Sequence, residues 1–363
     1  MNKYVDWEQA FYIASSGSAK ISKILPSSEH KETDTLFGGE LTIKAKIEKG
    51  FMEIESTGKF KKEKVTVLSE YGSKLDSSIA DVRIILETTQ KPEIYGYING
   101  NIMVGEKLPS LNITAIKEKI SLFTAYIQSP FKADTELFSP QIFNDKKKVP
   151  EKEIIFVNDV VFFQSDTFDY KKTIISSSDI IIENGILKNL TLIAYGEVRI
   201  QNDSKLYNVS IFSANSVILS GYSYFSGEII SENEIRVAEF SQVENSSVLI
   251  AYGETNQIKF TESASFCGSA ISIAEKTIAG GYQNIILVEK YAKCKGLLYS
   301  TGKINIQGKL EGLLCAHSLY GRSSNGHYGN VLEGEIIGEI PESICLSYYL
   351  NTQKIKRKSW KLM

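Results

Sequence analysis

Proline, arginine, cysteine and histidine are all scarce in this sequence, and each scarcity limits what the protein can be. Seven prolines against 19 tyrosines and 17 phenylalanines indicate a strand-rich chain. Five arginines, a net charge of -2 and a pI of about 6.1 argue against nucleic-acid binding, because no basic field attracts phosphates. The four cysteines form no CxxC pair, so we interpret them as small buried hydrophobic residues rather than disulfides. They are Cys267, Cys294, Cys315 and Cys345.

A long apolar segment is missing as well. No run reaches the roughly 18 residues that a membrane-spanning helix needs, and no signal peptide is visible at the N-terminus. Apolar residues still make up 42% of the chain, which is enough for a sizeable core. A length of 363 residues indicates two or three compact units, or one elongated one.

What the sequence does contain is a repeat of about 18 residues. The segment ILVEKYAKCKGLLYS (286–300) is followed by INIQGKLEGLLCAHS (304–318), and both place a glycine before a Leu-Leu pair. Similar lines start at positions 180, 198, 217, 235 and 258, so that successive starts differ by 18, 19, 18, 23, 28 and 18 residues. Within each line, apolar residues alternate with polar ones, as in half-buried strands, and small or polar residues separate the strands.

This pattern predicts a mostly β protein whose repeats form a single-stranded parallel β-helix of about 18 residues per coil. Inward residues such as Val198 and Ile200 would stack into aliphatic ladders, and each coil would bury its face against its neighbours. The right-handed bias of crossover connections favours a right-handed coil. A helical interpretation fails because apolar residues recur at every second position and β-branched residues dominate.

The N-terminal third has a different pattern. Apolar positions between residues 4 and 25, among them Tyr4, Trp7, Phe11 and Ala14, fit one face of a helix. Residues 38–72 then alternate strictly, which predicts a three-stranded antiparallel meander packed on that helix.

We therefore predict an α+β domain over residues 1–75 and a β-helix over residues 76–363. The β-helix would have an insertion near 106–175, with a short helix within 108–131, and a C-terminal cap near 319–363. Residues 79–105 would form its first coil.

The helix AFYIASSGSAKISKIL, followed by GGELTIKAKIEKGFMEIESTGKF, resembles the start of bacterial minor pilins and pseudopilins. The spacing of Ala10, Ala14, Ser15 and Gly17, and the Ser-Thr-Gly end of a strand (56–58), carry this resemblance over the first 70 residues. It implies a long N-terminal helix that begins in the membrane and carries an antiparallel sheet on its outer half. The prepilin cleavage motif and the membrane segment are absent from the sequence, so we expect an anchor upstream of Met1 in the native protein.

The repeats over residues 180–318 resemble, in period and ladder, those of bactofilin-type cytoskeletal and envelope proteins. Together the resemblances imply a non-enzymatic scaffold or adhesion protein of the bacterial cell envelope that is membrane-anchored, extracytoplasmic and related to pilus-like systems. Its expected partners are other envelope or pilus-like proteins and polysaccharide, without nucleic acid. Two alternatives stay open: a carbohydrate-active β-helix lyase or hydrolase, and a self-assembling filament module.

The sequence identifies no catalytic, cofactor-binding or metal-ligating residue, and we expect no cofactor. An enzyme of this fold needs carboxylates that project from one face of successive coils. Five carboxylates occur singly instead, which predicts a solvated surface. They are Glu183, Asp203, Glu228, Glu239 and Glu244.

Three further features of the sequence are candidate sites. Cys315, His317, His327 and Cys345 fit no zinc-ligand spacing, and no third group would orient His317 for catalysis with Cys315. The glycine-rich segment 321–330 lacks the strand–loop–helix context of a phosphate cradle, so we interpret it as a loop. The basic segment 354–361 is interpreted as a solvated tail, with contact to an anionic surface as the alternative.

Overall fold

The computed structural model of the chain contains two compact units. The sheet unit comprises Met1–Ser77, Pro109–Lys119 and Cys345–Met363, and the solenoid unit comprises Ser78–Leu108 and Ile120–Ile344. The structure describes residues 3–21, 30–74, 81–128, 135–138, 153–164, 167–274, 284–322, 326, 328–341, 344, 346–347, 349–350 and 354–363.

The sheet unit consists of one helix on a five-stranded antiparallel sheet of order β1-β2-β3-β4-β32. Strict alternation in the sequence places one side of each strand against the helix, where Leu41, Ile43 and Ile54 are fully buried. The predicted helix and meander are therefore present, and the sheet has two strands more than expected. The elements are α1 (Lys3–Ile21), β1 (His30–Leu36), β2 (Gly39–Glu48), β3 (Phe51–Phe60), β4 (Glu63–Lys74) and β32 (Lys354–Leu362).

Helix α1 contacts the sheet through Ile13 and through its small residues. A Cβ atom at Gly58 on β3 would overlap with the carbonyl oxygen of Ala10, so the helix and strand backbones meet directly. Ala10 and Ala14 are buried, whereas Tyr4 is 64% exposed. The predicted inner face, which included Tyr4, is wrong in this respect, because close backbone approach matters more here than side-chain hydrophobicity.

The basic segment 354–361 is not a solvated tail. It forms most of β32, which pairs with β4 along the edge of the sheet. Lys358 Nζ lies 3.8 Å from Glu70 Oε2 and 3.8 Å from the ring centroid of Phe51. Ser347, which was expected in the C-terminal cap of the β-helix, donates a 3.0 Å hydrogen bond to the Gly50 carbonyl within the sheet unit.

The solenoid unit confirms the predicted fold class. It is a parallel β-solenoid of about 11 turns with roughly 19 residues per turn, and the chain has 59% of its residues in strands and 11% in helices. The remaining elements of the chain are β5 (Val82–Leu86), β6 (Glu93–Ile94), β7 (Tyr97–Ile98), β8 (Asn101–Val104), α2 (Ile113–Gln128, of which the part from Ile120 onward belongs to the solenoid unit), β9 (Thr135–Phe138), β10 (Ile154–Val157), β11 (Val161–Gln164), β12 (Thr167–Asp169), β13 (Thr173–Ser176), β14 (Ile180–Glu183), β15 (Ile186–Lys188), β16 (Thr191–Ala194), β17 (Val198–Gln201), β18 (Lys205–Ser213), β19 (Ser216–Leu219), β20 (Tyr224–Ser231), β21 (Glu234–Val237), β22 (Gln242–Ala251), β23 (Gln257–Phe260), β24 (Ser265–Ser272), β25 (Ile285–Val288), β26 (Lys293–Ile306), β27 (Lys309–Leu319), β28 (Gly321–Arg322), β29 (Tyr328–Gly329), β30 (Val331–Leu332) and β31 (Glu335–Ile337).

Each coil contributes to three parallel sheets, which we call A, B and C in the order in which the chain visits them. In the coil that starts at Val198, sheet A takes β17, sheet B takes the start of β18 and sheet C takes its end. Successive coils pair in register, as Val198 with Val217 and Val217 with Ile235. The apolar side chains that point inward form one continuous hydrophobic core.

Serine and glycine columns shape the corners between the sheets. Ser213 Oγ lies 2.7 Å from the Gly196 carbonyl and 3.1 Å from the Ser216 carbonyl, so a fully buried hydroxyl supplies a donor at the corner between sheets C and A. At the corner between B and C, Gly268, Gly296 and Gly312 have φ values of 151°, 114° and 150°. A Cβ atom at each would overlap with a carbonyl oxygen of the preceding coil.

The order of the coils differs from the expectation. Residues 79–105 were predicted to form the first coil, yet β5 pairs with β27, with Ile84 opposite Leu314. Strand β8 then pairs with β5, and β7 pairs with β31. This segment therefore extends the solenoid beyond its C-terminal repeats, although it precedes all of them in the sequence.

The predicted insertion near 106–175 also contains strands of the solenoid. Strands β10, β11 and β12 pair in register with β13, β14 and β15, so the coils begin before Ile180. Helix α2 is present within the predicted range 108–131. In the part of the chain that the structure describes, no helix is both long and apolar enough to span a membrane.

The outer face of sheet C is apolar and buried. Ile193, Ile230 and Ile250 alternate with inward-facing residues and are nevertheless fully buried. Helix α2 covers part of this face, because the Phe123 ring stacks on Phe212 with centroids 4.9 Å apart. The Tyr195 hydroxyl also donates to the Ile127 carbonyl. Surface for partners is therefore found on sheets A and B.

Candidate binding surface on the solenoid

Sheet B presents a row of polar side chains to solvent. The coil register aligns these side chains one above the next, and they offer ammonium, hydroxyl and amide groups. The row consists of Lys205, Tyr224, Gln242, Ser265, Lys293 and Lys309.

An open depression of about 250 Å³ lies on this sheet. Side chains from three successive coils line its floor, and residues near the C-terminal end of the solenoid unit line one wall. The lining residues are Gln242, Val243, Glu244, Ser265, Cys267, Lys295, Pro341 and Ile344.

Three ionisable groups in and beside this depression have raised pKa values and stay protonated at neutral pH. Burial raises the pKa of the Cys267 thiol, so the thiol stays protonated. Burial, followed by the charge of Glu244, raises the pKa of Tyr224 to about 12. Lys295 Nζ lies 3.0 Å from Glu311 Oε2, and this hydrogen bond raises the pKa of its ammonium group. The depression can exchange hydrogen bonds with a ligand, but none of these three groups is poised as a nucleophile or base.

The five single carboxylates lie in different parts of the solenoid. Glu183 accepts a hydrogen bond from Gln201 in sheet A, and Glu239 accepts one of 2.9 Å from the Gly221 amide at a corner. Asp203 is exposed at the corner between sheets A and B, and Glu244 is exposed on sheet B. Glu228 is only 1% exposed on the outer face of sheet C, so the predicted solvated surface is wrong for this residue.

The cysteines and histidines behave as separate groups. Cys294 and Cys315 are buried free thiols, and burial raises the pKa of each above its ordinary value. His317 Nδ1 lies 3.1 Å from Glu87 Oε2. His327 and Cys345 lie outside the described residues. Within the described ranges, no three His, Cys, Asp or Glu residues are grouped to hold a metal ion.

The glycine-rich segment 321–330 is described only in part. Its ends form a two-stranded antiparallel sheet of β28 and β29. Two hydrogen bonds hold Asn330, the last residue of this segment. Its Oδ1 accepts a 2.8 Å hydrogen bond from the Leu319 amide, and its Nδ2 donates a 2.6 Å bond to the Gln90 carbonyl. These contacts give the segment a role in the corner that follows β27.

A pair of exposed aromatic rings stands at the corner between sheets A and B. Tyr222 and Phe240 occupy equivalent positions in adjacent coils, and their rings stack with centroids 5.2 Å apart and planes 7° apart. They are 64% and 52% exposed. Both residues have a φ of 62°, and each follows a residue that also has a positive φ, Gly221 or Glu239. Two consecutive left-handed residues are the requirement of a type I′ turn.

The sequence analysis did not identify this pair. The available signal was an aromatic residue at the middle of a turn, in the segments SGYSY (220–224) and AEFSQ (238–242). Turns of this type favour glycine, asparagine and aspartate, as in Asn202-Asp203 at the same corner of the preceding coil. Alignment of the repeats is enough to show that an aromatic residue is unusual at this turn position.

The fold defines the chain as a β-solenoid protein that carries an additional α+β unit. No protein-family model matches the sequence, and no curated protein matches it. Among solved structures, the chain is similar to the competence-associated pilin ComZ from Thermus thermophilus, with 9% identity over 99% of this chain and 97% of that one. The TM-score is 0.20, which does not establish a shared fold.

Proposed function

We propose that the protein is a non-enzymatic scaffold of the bacterial cell envelope, related in role to minor pilins, which binds partner proteins through α1. The observation that supports this best is the division of α1 into two sides. One side, with Ala10 and Ala14, is buried on the sheet, while the other exposes aromatic and aliphatic residues.

The exposed side of α1 has the composition of a docking surface. Tyr4 and Tyr12 are 64% and 58% exposed, and Val5 is exposed beside them. Trp7 and Phe11 stack with centroids 5.7 Å apart at an interplanar angle of 6°. Aromatic residues are enriched at protein interfaces, and an exposed group of them on one helix favours a partner that packs along its length.

The solenoid unit suits a structural role because its core is continuous. The coils from β10 to β27 contribute inward residues to one hydrophobic cluster, and parallel hydrogen bonds link each coil to the next. Such a stack resists bending and offers long faces to partners. The envelope location, the upstream anchor and the resemblance to bactofilin-type repeats are further parts of this proposal.

Fractionation of native cells tests the location. We expect the protein in the membrane fraction, released by detergent but not by high salt, because an anchor would precede α1. Recovery of the native protein in the medium or the soluble fraction without detergent would contradict the proposal.

Variants of α1 test the docking surface. Replacing both Tyr4 and Tyr12 with serine should reduce co-purification of envelope proteins after cross-linking in cells, while the sheet unit stays folded because both side chains are exposed. Tyr291→Ser is a matched control, since Tyr291 is 67% exposed but belongs to the solenoid unit. Equal cross-linking in all three proteins would contradict a role for α1.

A further inference from the structure

Tyr222 and Phe240 are bulky residues in a left-handed backbone conformation that such residues rarely adopt. A left-handed conformation is strained for any residue that has a Cβ atom, and for a bulky side chain it is a genuine outlier. Burial does not offset this strain, because both rings are more than half exposed. The stacking of the two rings on each other offsets part of this strain. Residues held against their local backbone preference are expected at functional sites.

The two-ring stack has open ends. At the equivalent turn position, the preceding coil has Asp203 and the following coil has Ser263, both with short side chains. Tyr291 occupies this position one coil beyond Ser263, and it is 67% exposed. At about 4.8 Å per coil, Phe240 and Tyr291 are separated by roughly 10 Å along the solenoid axis, which leaves room for one further ring above Ser263.

The surroundings narrow the chemistry of the ligand. Asp203, Glu239 and Glu262 are exposed on the same series of turns as Lys290 and beside the lysines of the sheet B row, so the charges are mixed and no net field attracts a polyanion such as nucleic acid. The neighbouring row on sheet B offers the Tyr224 hydroxyl, the Gln242 amide and the Ser265 hydroxyl as hydrogen-bond partners. A ligand that fits has flat apolar faces, many hydroxyl groups and no strong negative charge.

A protein partner fits this surface less well. A stable protein interface buries about 800 Å² on each side around a core depleted of charged residues. Here two rings stand among exposed carboxylates and the lysines of the sheet B row, Lys205 and Lys293. The apolar area is therefore small, narrow and interrupted by charge.

We propose that Tyr222 and Phe240 form a stacking platform for a neutral glycan chain, which lies along the corner between sheets A and B. The C–H faces of its sugar rings pack on the aromatic rings, and its hydroxyl groups bond to the polar row on sheet B. This proposal is separate from the docking surface on α1 and does not depend on it.

Titration calorimetry of the full chain with two neutral hexasaccharides, cellohexaose and chitohexaose, tests the platform. We expect at least one to bind, and we expect the double variant Tyr222→Asn/Phe240→Asn to lower its association constant by at least about tenfold. Asparagine tolerates the left-handed conformation, so the variant should melt at the same temperature as the original protein or higher. Loss of binding would then not reflect loss of the fold.

Two controls complete the experiment. Phe37→Asn makes the same change at an exposed residue with a φ of 51° in the sheet unit, and it should leave binding unchanged. Tyr222→Trp/Phe240→Trp keeps the stacking faces and should retain binding. The proposal is overturned if neither hexasaccharide binds, if the asparagine variant binds as well as the original chain, or if dextran sulfate binds and the neutral chains do not.

Discussion

The two units of this chain build their cores from residues at very different sequence separations. In the sheet unit, β4 (Glu63–Lys74) pairs with β32 (Lys354–Leu362), and the Gly50 carbonyl accepts from Ser347. In the solenoid unit, most strands pair with a strand one coil away, as Val198 does with Val217. The first unit requires both ends of the chain before it is complete, whereas the second grows coil by coil.

This difference implies two kinds of stability. A coil-by-coil stack is approximately a sum of repeat and neighbour terms, so damage to one coil spreads mainly to its neighbours. The sheet unit closes a long loop, and its strands share one small core under α1, so damage anywhere removes the whole unit. Variants that disrupt one backbone contact in each unit separate these two behaviours.

The largest effects are expected from glycines at close backbone contacts. Gly296→Val places a side chain against the Gly268 carbonyl and forces a residue with a φ of 114°, so it should cost about 3 kcal/mol or more and open the adjacent coils. Gly58→Val places a side chain against Ala10 and should detach α1 from the sheet. Hydrogen exchange, resolved by peptide, measures where protection is lost.

The comparison predicts where protection survives. Gly296→Val should leave the sheet unit protected, and Gly58→Val should leave the solenoid protected. Loss of protection throughout the chain in both variants would show that the two units unfold as one cooperative structure, and the contrast between them would then be wrong. Ser263→Ala, at an irregular but uncrowded turn, is a control that should change little.

A smaller effect is expected from a buried amide at a corner of the solenoid. Asn284 Nδ2 lies 3.1 Å from the Ser272 carbonyl and 3.2 Å from Ser300 Oγ, and Asn284 is fully buried. Asn284→Ala leaves these groups without their donor and should cost about 2 kcal/mol by urea unfolding. Asn233→Ala removes a hydrogen bond to Asn215 at an exposed site and should cost less than about 0.5 kcal/mol.

The same contrast between local and distant pairing explains how much the sequence revealed. The ladder of Val198, Val217 and Ile235 was predictable, because strand alternation and coil spacing are local properties of the chain. The pairing of Ile84 with Leu314 was not, because periodicity identifies a coil without giving its place in the stack. For the same reason β32 was missed, since nothing in a short basic segment indicates which open edge it will meet.

The surface was harder to predict than the core. The buried side of α1 follows from the close approach at Gly58, which is visible only once helix and strand are placed together. The Tyr222–Phe240 pair depends on a left-handed turn, and the residue types there would have predicted a different conformation. Alternation predicts burial well, whereas these exposed features depend on backbone geometry that composition does not encode.

An effect of intermediate size is expected at alkaline pH. It should come from the buried thiols of the solenoid unit, Cys294 and Cys315. Burial raises the pKa of Cys294 and Cys315 above the ordinary value of 9.0. The native state therefore keeps two protons that the unfolded chain loses. The stabilisation that comes from these protonated thiols is fully present below pH 9 and is lost as the pH rises above it. The slope for each thiol should steepen through pH 9 and approach a loss of about 1.4 kcal/mol per pH unit above pH 10.

Urea unfolding between pH 8 and pH 10 measures this slope in a Cys345→Ala background. The two thiols together set a slope of the free energy of unfolding against pH, and Cys294→Ala should remove about half of it. This holds whatever the variant does to the free energy of unfolding at pH 8. Cys267 is half-buried and should react first with a thiol reagent under native conditions, before Cys294 and Cys315. Rapid labelling of all three in the native protein would contradict the burial on which the slope depends.

The smallest effect on stability is expected at Lys295, the residue directly before Gly296, where one of the largest is expected. Lys295→Ala removes the 3.0 Å ion pair with Glu311, but the Lys295 side chain is 54% exposed and solvent screens the pair. Urea unfolding should therefore show a loss of about 0.5 kcal/mol or less, and 1 M salt should abolish it. Because Lys295 points outward and Gly296 contacts the coil before it, adjacent positions should differ at least sixfold in their cost. A loss of stability at Lys295 as large as that at Gly296 would mean that the outward-facing side chains of sheet B, and not the stacked backbone, stabilise the coils.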